Sequence, residues 1–367
     1  MENKSNPFYL KLSSTLITIA LLLVLLVAGR NVLVPIFFAC IFCIFLIAPC
    51  NMLERWGVPR TLAVTICVLL ALIVMSAVLY FISDQLISFK SAMPELINNL
   101  NKASDKAQNY LHKRYHIDYY NVGSLTDNLR TKVLTSIPAI LGSTFSTISG
   151  VLKYVILIPI YTFLLLLYRG LIVRFIVACF RDAHQNSVVA MLGRTKYVIR
   201  SYIFGLLIEM TIVAAMTFVG LLIIGSQYAL LLAFIVALLN LIPYVGIATA
   251  AIISIIVTIS SGNPMTVIGV LIVIVCVYAI DSNFLLPKIV GSRVKINALA
   301  TTIGVVVGCE LWGIPGMFLA MPVMAILKVL FESVGDLHAW GVLLGEEESQ
   351  PVKKNKLARL LKKKTKK

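Results

Sequence analysis

The chain has 367 residues, 59% of them hydrophobic and 13% charged, and its mean hydropathy of +0.95 is that of a protein whose surface faces lipid. This balance excludes an ordinary soluble domain. The net charge of +16 does not describe a nucleic-acid surface either, because it is gathered beside apolar runs: nine basic residues lie between Lys353 and Lys367, and six (Arg169, Arg174, Arg181, Arg194, Lys196, Arg200) in one segment.

In chain order, a span needs ~20 apolar residues in helix. Lys11 to Arg30 encloses a charge-free run, and Asn31 to Cys50 supplies a second. "ERWGVPR" (Glu54 to Arg60) is a short loop, and Thr61 to Ser83 a third span. Together they make an N-terminal unit over 1–83. From Asp84 to Thr135 the chain is polar, with seven basic and five acidic residues. Leu96, Leu100, Ala103, Ala107 and Leu111 recur at helical spacing there. The 84–149 stretch therefore reads as an amphipathic insertion on the extracytoplasmic side, either a docking element between subunits or a solvated cap.

Gly150 to Tyr168 is a fourth span, followed by the basic segment at 169–200. Ser201 to Ile224, carrying Glu209, is a fifth. Three stretches follow: Tyr228 to Ser261, Met265 to Leu286 and Ala298 to Leu330. With the core at 150–334 and a basic tail at 335–367, the charges give eight spans with both termini cytoplasmic. The basic tail also suits anionic lipid headgroups.

Two of these stretches are too long for one straight crossing. The first is interrupted near Pro243, and the second by Gly313, Pro315 and Pro322. Irregular backbone at membrane depth is tolerated inside protein or beside a water-filled cavity, and broken helices commonly build transporter sites. The expected fold is thus an all-α integral membrane protein with two broken, re-entrant or crossing, stretches.

No nucleotide-binding loop, HExxH zinc motif or protease constellation is present, which argues against an enzyme. The seven cysteines lie mostly in apolar runs with no metal-ligating partners, so neither a metal site nor a cofactor is expected. The polar residues in apolar settings are Glu209, Asn240, Asp281, Asn283 and Glu310. A carboxylate at the bilayer centre costs about 2.5–3.5 kcal/mol, so each should face a pathway or a partner. Local roles are the alternatives: Asp281 pairing with Lys288 or Arg293, Glu209 solvated near the interface, and Glu310 capping a broken helix. Asn240 and Asn283 could likewise satisfy backbone freed by Pro243 and Pro287.

"GSQYALLLAFIVALLNLIPYVG", then "DSNFLLPKIVG" and "CELWGIPGMFLAMPV", resemble the autoinducer-2 exporter family, as does "LVPIFFACIFCIFLIAPCNMLERWGVPRTLAV" upstream. The resemblance covers about Val32 to Leu330. Pro243, Tyr244 and Gly246 match the first signature, Pro287 and Gly291 the second, and Gly313, Gly316 and Pro322 the third. Relatives often carry another Pro after the first signature's Gly and one after the position of Lys295; this chain has "IATAAIIS" and "INALATT" there. The resemblance implies eight spans, an extracytoplasmic insertion, a bacterial inner-membrane location and homo-oligomers, pentamers among them. It implies export of autoinducer-2, a small polar furanosyl solute, or antiport of sodium or lithium against protons. A non-transporting membrane scaffold is the third expectation.

Overall fold

The computed structural model describes residues 8–81, 154–242, 245–259, 264–291 and 295–346, with residues 83, 84, 87 and 98. Apart from three of those isolated positions, the 84–149 insertion lies outside the described residues. So do Pro243, Tyr244, Arg293 and the tail from residue 347. The described residues are helical, relieved by an isolated bridge between Ile296 and Gly345. Among them, five helices are long and apolar enough to span a membrane. A sixth span arises if Tyr154–Leu167 and Arg169–Ala178, bent by 69° at their break, count as one. The protein is a multi-pass membrane protein.

The N-terminal helices are α1 (Phe8–Ala28), α2 (Arg30–Arg55) and α3 (Arg60–Phe81). At the end of α2, Gly57 adopts φ 89°, and the Val58 and Gly57 amides bond the Leu53 and Glu54 carbonyls. This is a Schellman cap, which only a residue tolerant of left-handed φ can close. The polypeptide re-enters the membrane as α3. It returns as α4 (Tyr154–Leu167) and turns sharply into α5 (Arg169–Ala178). Arg169 Nη2 donates to both Glu54 carboxylate oxygens at 2.7–2.8 Å and ties α5 to the end of α2, and Arg60 Nη2 donates to the Leu166 carbonyl at 3.1 Å.

The central strut is α6 (Asp182–Ile223), whose 42 residues extend about 63 Å. Its basic first half runs outside the apolar layer, and its second half crosses. A second Schellman cap at Gly225 (φ 74°) reverses the chain into α7 (Ala229–Leu239). At 11 residues α7 is about 16 Å long, half a bilayer core. After the break, α8 (Val245–Ile259) leads to α9 (Pro264–Ile280), which continues as a π-helical segment, Asp281–Gly291.

The contacts of α9 with α6 decide what the break does. Gly269 lies against Ile224, Gly220 against Val273, and Gly205 against Ile289. The two helices are therefore antiparallel over their whole apolar length, with α9 beginning at the Ile224 end. Consequently α7 and α8 enter and leave on that same side. They form a re-entrant hairpin with its break at mid-depth. Gly246 makes the fold-back feasible: a Cβ there would lie 1.8 Å from the Leu239 carbonyl oxygen.

The second broken stretch folds the same way from the opposite face. α10 (Ala298–Trp312) and α11 (Ile314–Ser333) are antiparallel about Gly313, whose φ of 66° suits glycine. A Cβ on Gly316 would lie 1.9 Å from the Gly308 carbonyl oxygen, and Gly304 faces Met324. Near the open end, Lys328 Nζ donates to the Lys295 carbonyl. The Asn297 side chain caps α10 through Ala300 N at 2.8 Å and also holds the Leu343 and Gly345 carbonyls beside α12 (His338–Leu344). Arg194 pairs with Glu332 at 2.9 Å, which places this open end on the basic side of α6. Trp312, at the turn, donates to the Leu26 carbonyl of α1 at 2.9 Å and packs on Phe37. The hairpin tips approach each other where Ile242 packs with Val305, Ala320 and Met317.

Both overlong stretches thus fold back as antiparallel hairpins. Among the described residues after α6, Met265–Ile289 and Ile314–Ser333 are each long and apolar enough to cross a membrane. Gly316→Val should cost about 1–3 kcal/mol or more by forcing the α10–α11 backbones apart. Gly193→Ala, in an open position, should be neutral or slightly stabilising. Thermal unfolding in detergent measures both.

Candidate functional site

Three of the five polar residues singled out in the sequence meet at the level of the first hairpin's break. Glu209 projects from the crossing half of α6 and is 1% exposed. Asp281 begins the π segment and is 5% exposed. π turns widen the helix and release carbonyls from their usual partners, and they recur at functional sites. Here the freed carbonyls are taken locally, Tyr278 O by the Ser282 hydroxyl and Ala279 O by the Asn283 amide, each at 2.8 Å.

Asn240 caps the end of α7, its own N–H donating to the Val236 carbonyl at 2.9 Å. Its Nδ2 donates to Asp281 Oδ2 at 3.1 Å and, more weakly, to Glu209 Oε1 at 3.4 Å. One amide from the re-entrant hairpin therefore bridges carboxyl groups from two crossing helices. The opposite oxygens, Glu209 Oε2 and Asp281 Oδ1, are buried and accept no hydrogen bond from a described donor. Two carboxylates this close, away from water, repel each other strongly. A proton shared between them, a water or a small cation would relieve that repulsion.

Beside the bridge is a void of about 10 Å³ lined by Val213, Val236, Asn240, Ile274, Val277 and Asp281. It has room for about one water or a bare ion, not for an organic solute. Among the described residues no cluster of three or more His, Cys, Asp or Glu could hold a multivalent metal. Further polar atoms extend from the site: Thr217 Oγ1, two turns along α6 from Glu209, and Ser254 Oγ on α8 are buried without partners. Sequence reading passed over both, because Ser and Thr are common in spans and bond their own helix.

The other candidates lie elsewhere. Asn283 is exposed on the π segment, bonded to Ala279. Glu310 is exposed on α10 and takes no part in the bridge. Asp281 meets Asn240, whereas Lys288, two turns on, faces a separate cavity with Arg200. Gly246 serves the fold-back of the first hairpin, and Gly313, Pro315 and Gly316 form the turn of the second. Pro322 is buried within α11, and Pro287 and Gly291 lie in and at the end of the π segment.

The profile of AI-2E family transporters matches residues 16–335. The chain belongs to the AI-2E family. Among similar proteins, YueF of Bacillus subtilis, named as a proposed transport protein, is 26% identical over 79% of this chain and 81% of its own length. PerM of Escherichia coli K12, a proposed permease, is 28% identical over 87% and 92%. YhhT of the same strain, another proposed transport protein, is 24% identical over 88% and 92%. The family match at residues 16–335 spans both hairpins and the carboxylate bridge.

If Asn240 bridges the carboxyl groups, Asn240→Ala should destabilise the protein by about 1–3 kcal/mol. Asp281→Asn should relieve part of that loss. A double-mutant cycle on thermal unfolding should give a coupling of at least about 0.5 kcal/mol; additivity would show that the side chains act independently.

Proposed function

We propose that this AI-2E family transporter is an ion-coupled secondary transporter of a small polar, autoinducer-2-like solute, working by alternating access around the hairpin tips. The observation that carries this reading is the pair of orphaned carboxylate oxygens on Glu209 and Asp281, held by an amide of a re-entrant hairpin. Occupancy by a proton or a monovalent cation relieves the repulsion and lets the α7–α8 tip settle. Emptying the site restores the repulsion and favours separation of tip and helices. Differential stability of two conformations is what coupling requires. The crowding of basic residues before Arg200 supports a cytoplasmic location for that end of α6 in a bacterial inner membrane, with both termini on that side and the basic tail against anionic headgroups. The assembly is a homo-oligomer, a pentamer by family likeness.

A second reading, sodium- or lithium/proton antiport, is favoured by the size of the void beside Asp281, which suits a bare ion better than a furanosyl solute. Everted vesicles discriminate the two. Under the first reading, autoinducer-2 accumulates on imposing a proton gradient, and Glu209→Gln or Asp281→Asn lowers the initial rate by about tenfold or more, the range general acid–base groups command. Under the second, added sodium or lithium dissipates the gradient without the organic solute. Unchanged activity in both carboxyl variants would remove the bridge from the mechanism.

A further inference from the structure

A larger cavity, about 430 Å³, opens at the Arg200 end between α6 and the π segment. Its volume lies within the range of small-molecule sites. Tyr197, Arg200, Ser201 and Phe204 line one wall, and Lys288 and Ile289 the other. Tyr197, Ser201 and Phe204 stand on one stripe of α6, with spacings of four and three, and Arg200 flanks it. The Arg200 guanidinium lies 5.7 Å from the centre of the Phe204 ring, which orients the cation along the wall. It forms no ion pair with any described residue; the neighbouring Arg194 is neutralised by Glu332.

Among the described residues, no acidic side chain lines this cavity. Gly205 and Ile208 line its inner end, beside the contact of Gly205 with the π segment, where a Cβ would lie 3.1 Å from the Ile289 carbonyl oxygen. Glu209 and Asp281 are on the far side of that contact, one or two turns deeper on the same two helices. The cavity is thus chemically opposite to the carboxylate bridge: two cations, two hydroxyl-bearing side chains and an aromatic ring.

We propose that this cavity binds a phosphate-bearing small molecule or headgroup, with Arg200 and Lys288 on the phosphate oxygens, the Ser201 hydroxyl as a further donor, and Tyr197 and Phe204 against the organic portion. Arg presents a planar fork suited to two phosphate oxygens and Lys a point charge; from walls on two helices they can meet the group from two sides. The site stands on the cavity alone, whether or not the carboxylate bridge couples transport.

The test is calorimetric titration of the purified full-length protein in uncharged detergent with phenyl phosphate, which joins a phosphate to a ring, and with inorganic phosphate. Saturable binding is expected, tighter for phenyl phosphate. Arg200→Gln and Lys288→Gln should each weaken it by about tenfold or more. Arg200→Lys should weaken it less than Arg200→Gln. Lys196→Gln, which removes an exposed cation outside the cavity from the same helix, should change it by less than about twofold. Repeating the titration in nanodiscs of phosphatidylcholine, with and without phosphatidylglycerol, identifies the source. Competition by phosphatidylglycerol assigns the site to a lipid headgroup, and undiminished binding assigns it to a soluble phosphate ester. Absence of saturable binding by the folded wild type would overturn the proposal. So would equal weakening by Lys196→Gln, which would reduce the cavity to part of a diffuse positive surface.

Discussion

The architecture turns on one amide set between two buried carboxyl groups. Asn240 can reach both Asp281 and Glu209 only because α7 stops halfway through the membrane, and α7 can stop there only because the chain folds back beside Leu239. Each step has its own physical requirement. A helix end at membrane depth leaves carbonyls without partners, so it must be sheltered by protein. The second hairpin supplies part of that shelter, with Val305, Met317 and Ala320 closing over Ile242.

Close backbone approach is what lets the two hairpins fit among the other helices. Gly246, Gly308 and Gly316 each occupy a place where a methyl group would strike a carbonyl oxygen, and Gly205 brings a carbonyl to the limit of contact. Packing of this kind, rather than hydrophobic exclusion, holds helices together in lipid. The ion pair of Arg169 with Glu54 and the Trp312 bond to Leu26 fasten the N-terminal helices around this core.

Much of this was legible in the sequence. Long apolar runs, the crowding of basic residues before Arg200 and the excess length of two stretches give a multi-pass protein with two broken elements. The cost of burying Glu209 and Asp281 marks them as residues needing partners. What the sequence does not disclose is the direction taken after each break. A kinked crossing and a re-entrant hairpin have the same composition; the difference is set by glycines whose tight contacts lie across the fold. For the same reason Asn240 reads as a local cap until α7 is placed beside α6 and α9. Glu310 carries the same burial argument as Glu209, yet its position on α10 leaves it exposed, because a helical stripe alone does not say which face meets protein. The cavity between Arg200 and Lys288 escaped notice because its walls are 88 residues apart and Lys288 reads as an interfacial anchor.

The measurement that tests this account most directly is the sidedness of the hairpin ends. Single cysteines at Gln227 and Met265, before α7 and at the start of α9, would be introduced into a cysteine-free chain. A membrane-impermeant thiol reagent would then be applied to right-side-out and everted vesicles, with Lys295→Cys and His338→Cys as a second pair. A re-entrant α7–α8 predicts that Gln227→Cys and Met265→Cys react from one face, and that the second pair reacts from the other. Labelling of Gln227→Cys and Met265→Cys from opposite faces would make α7–α8 a crossing element and contradict the account.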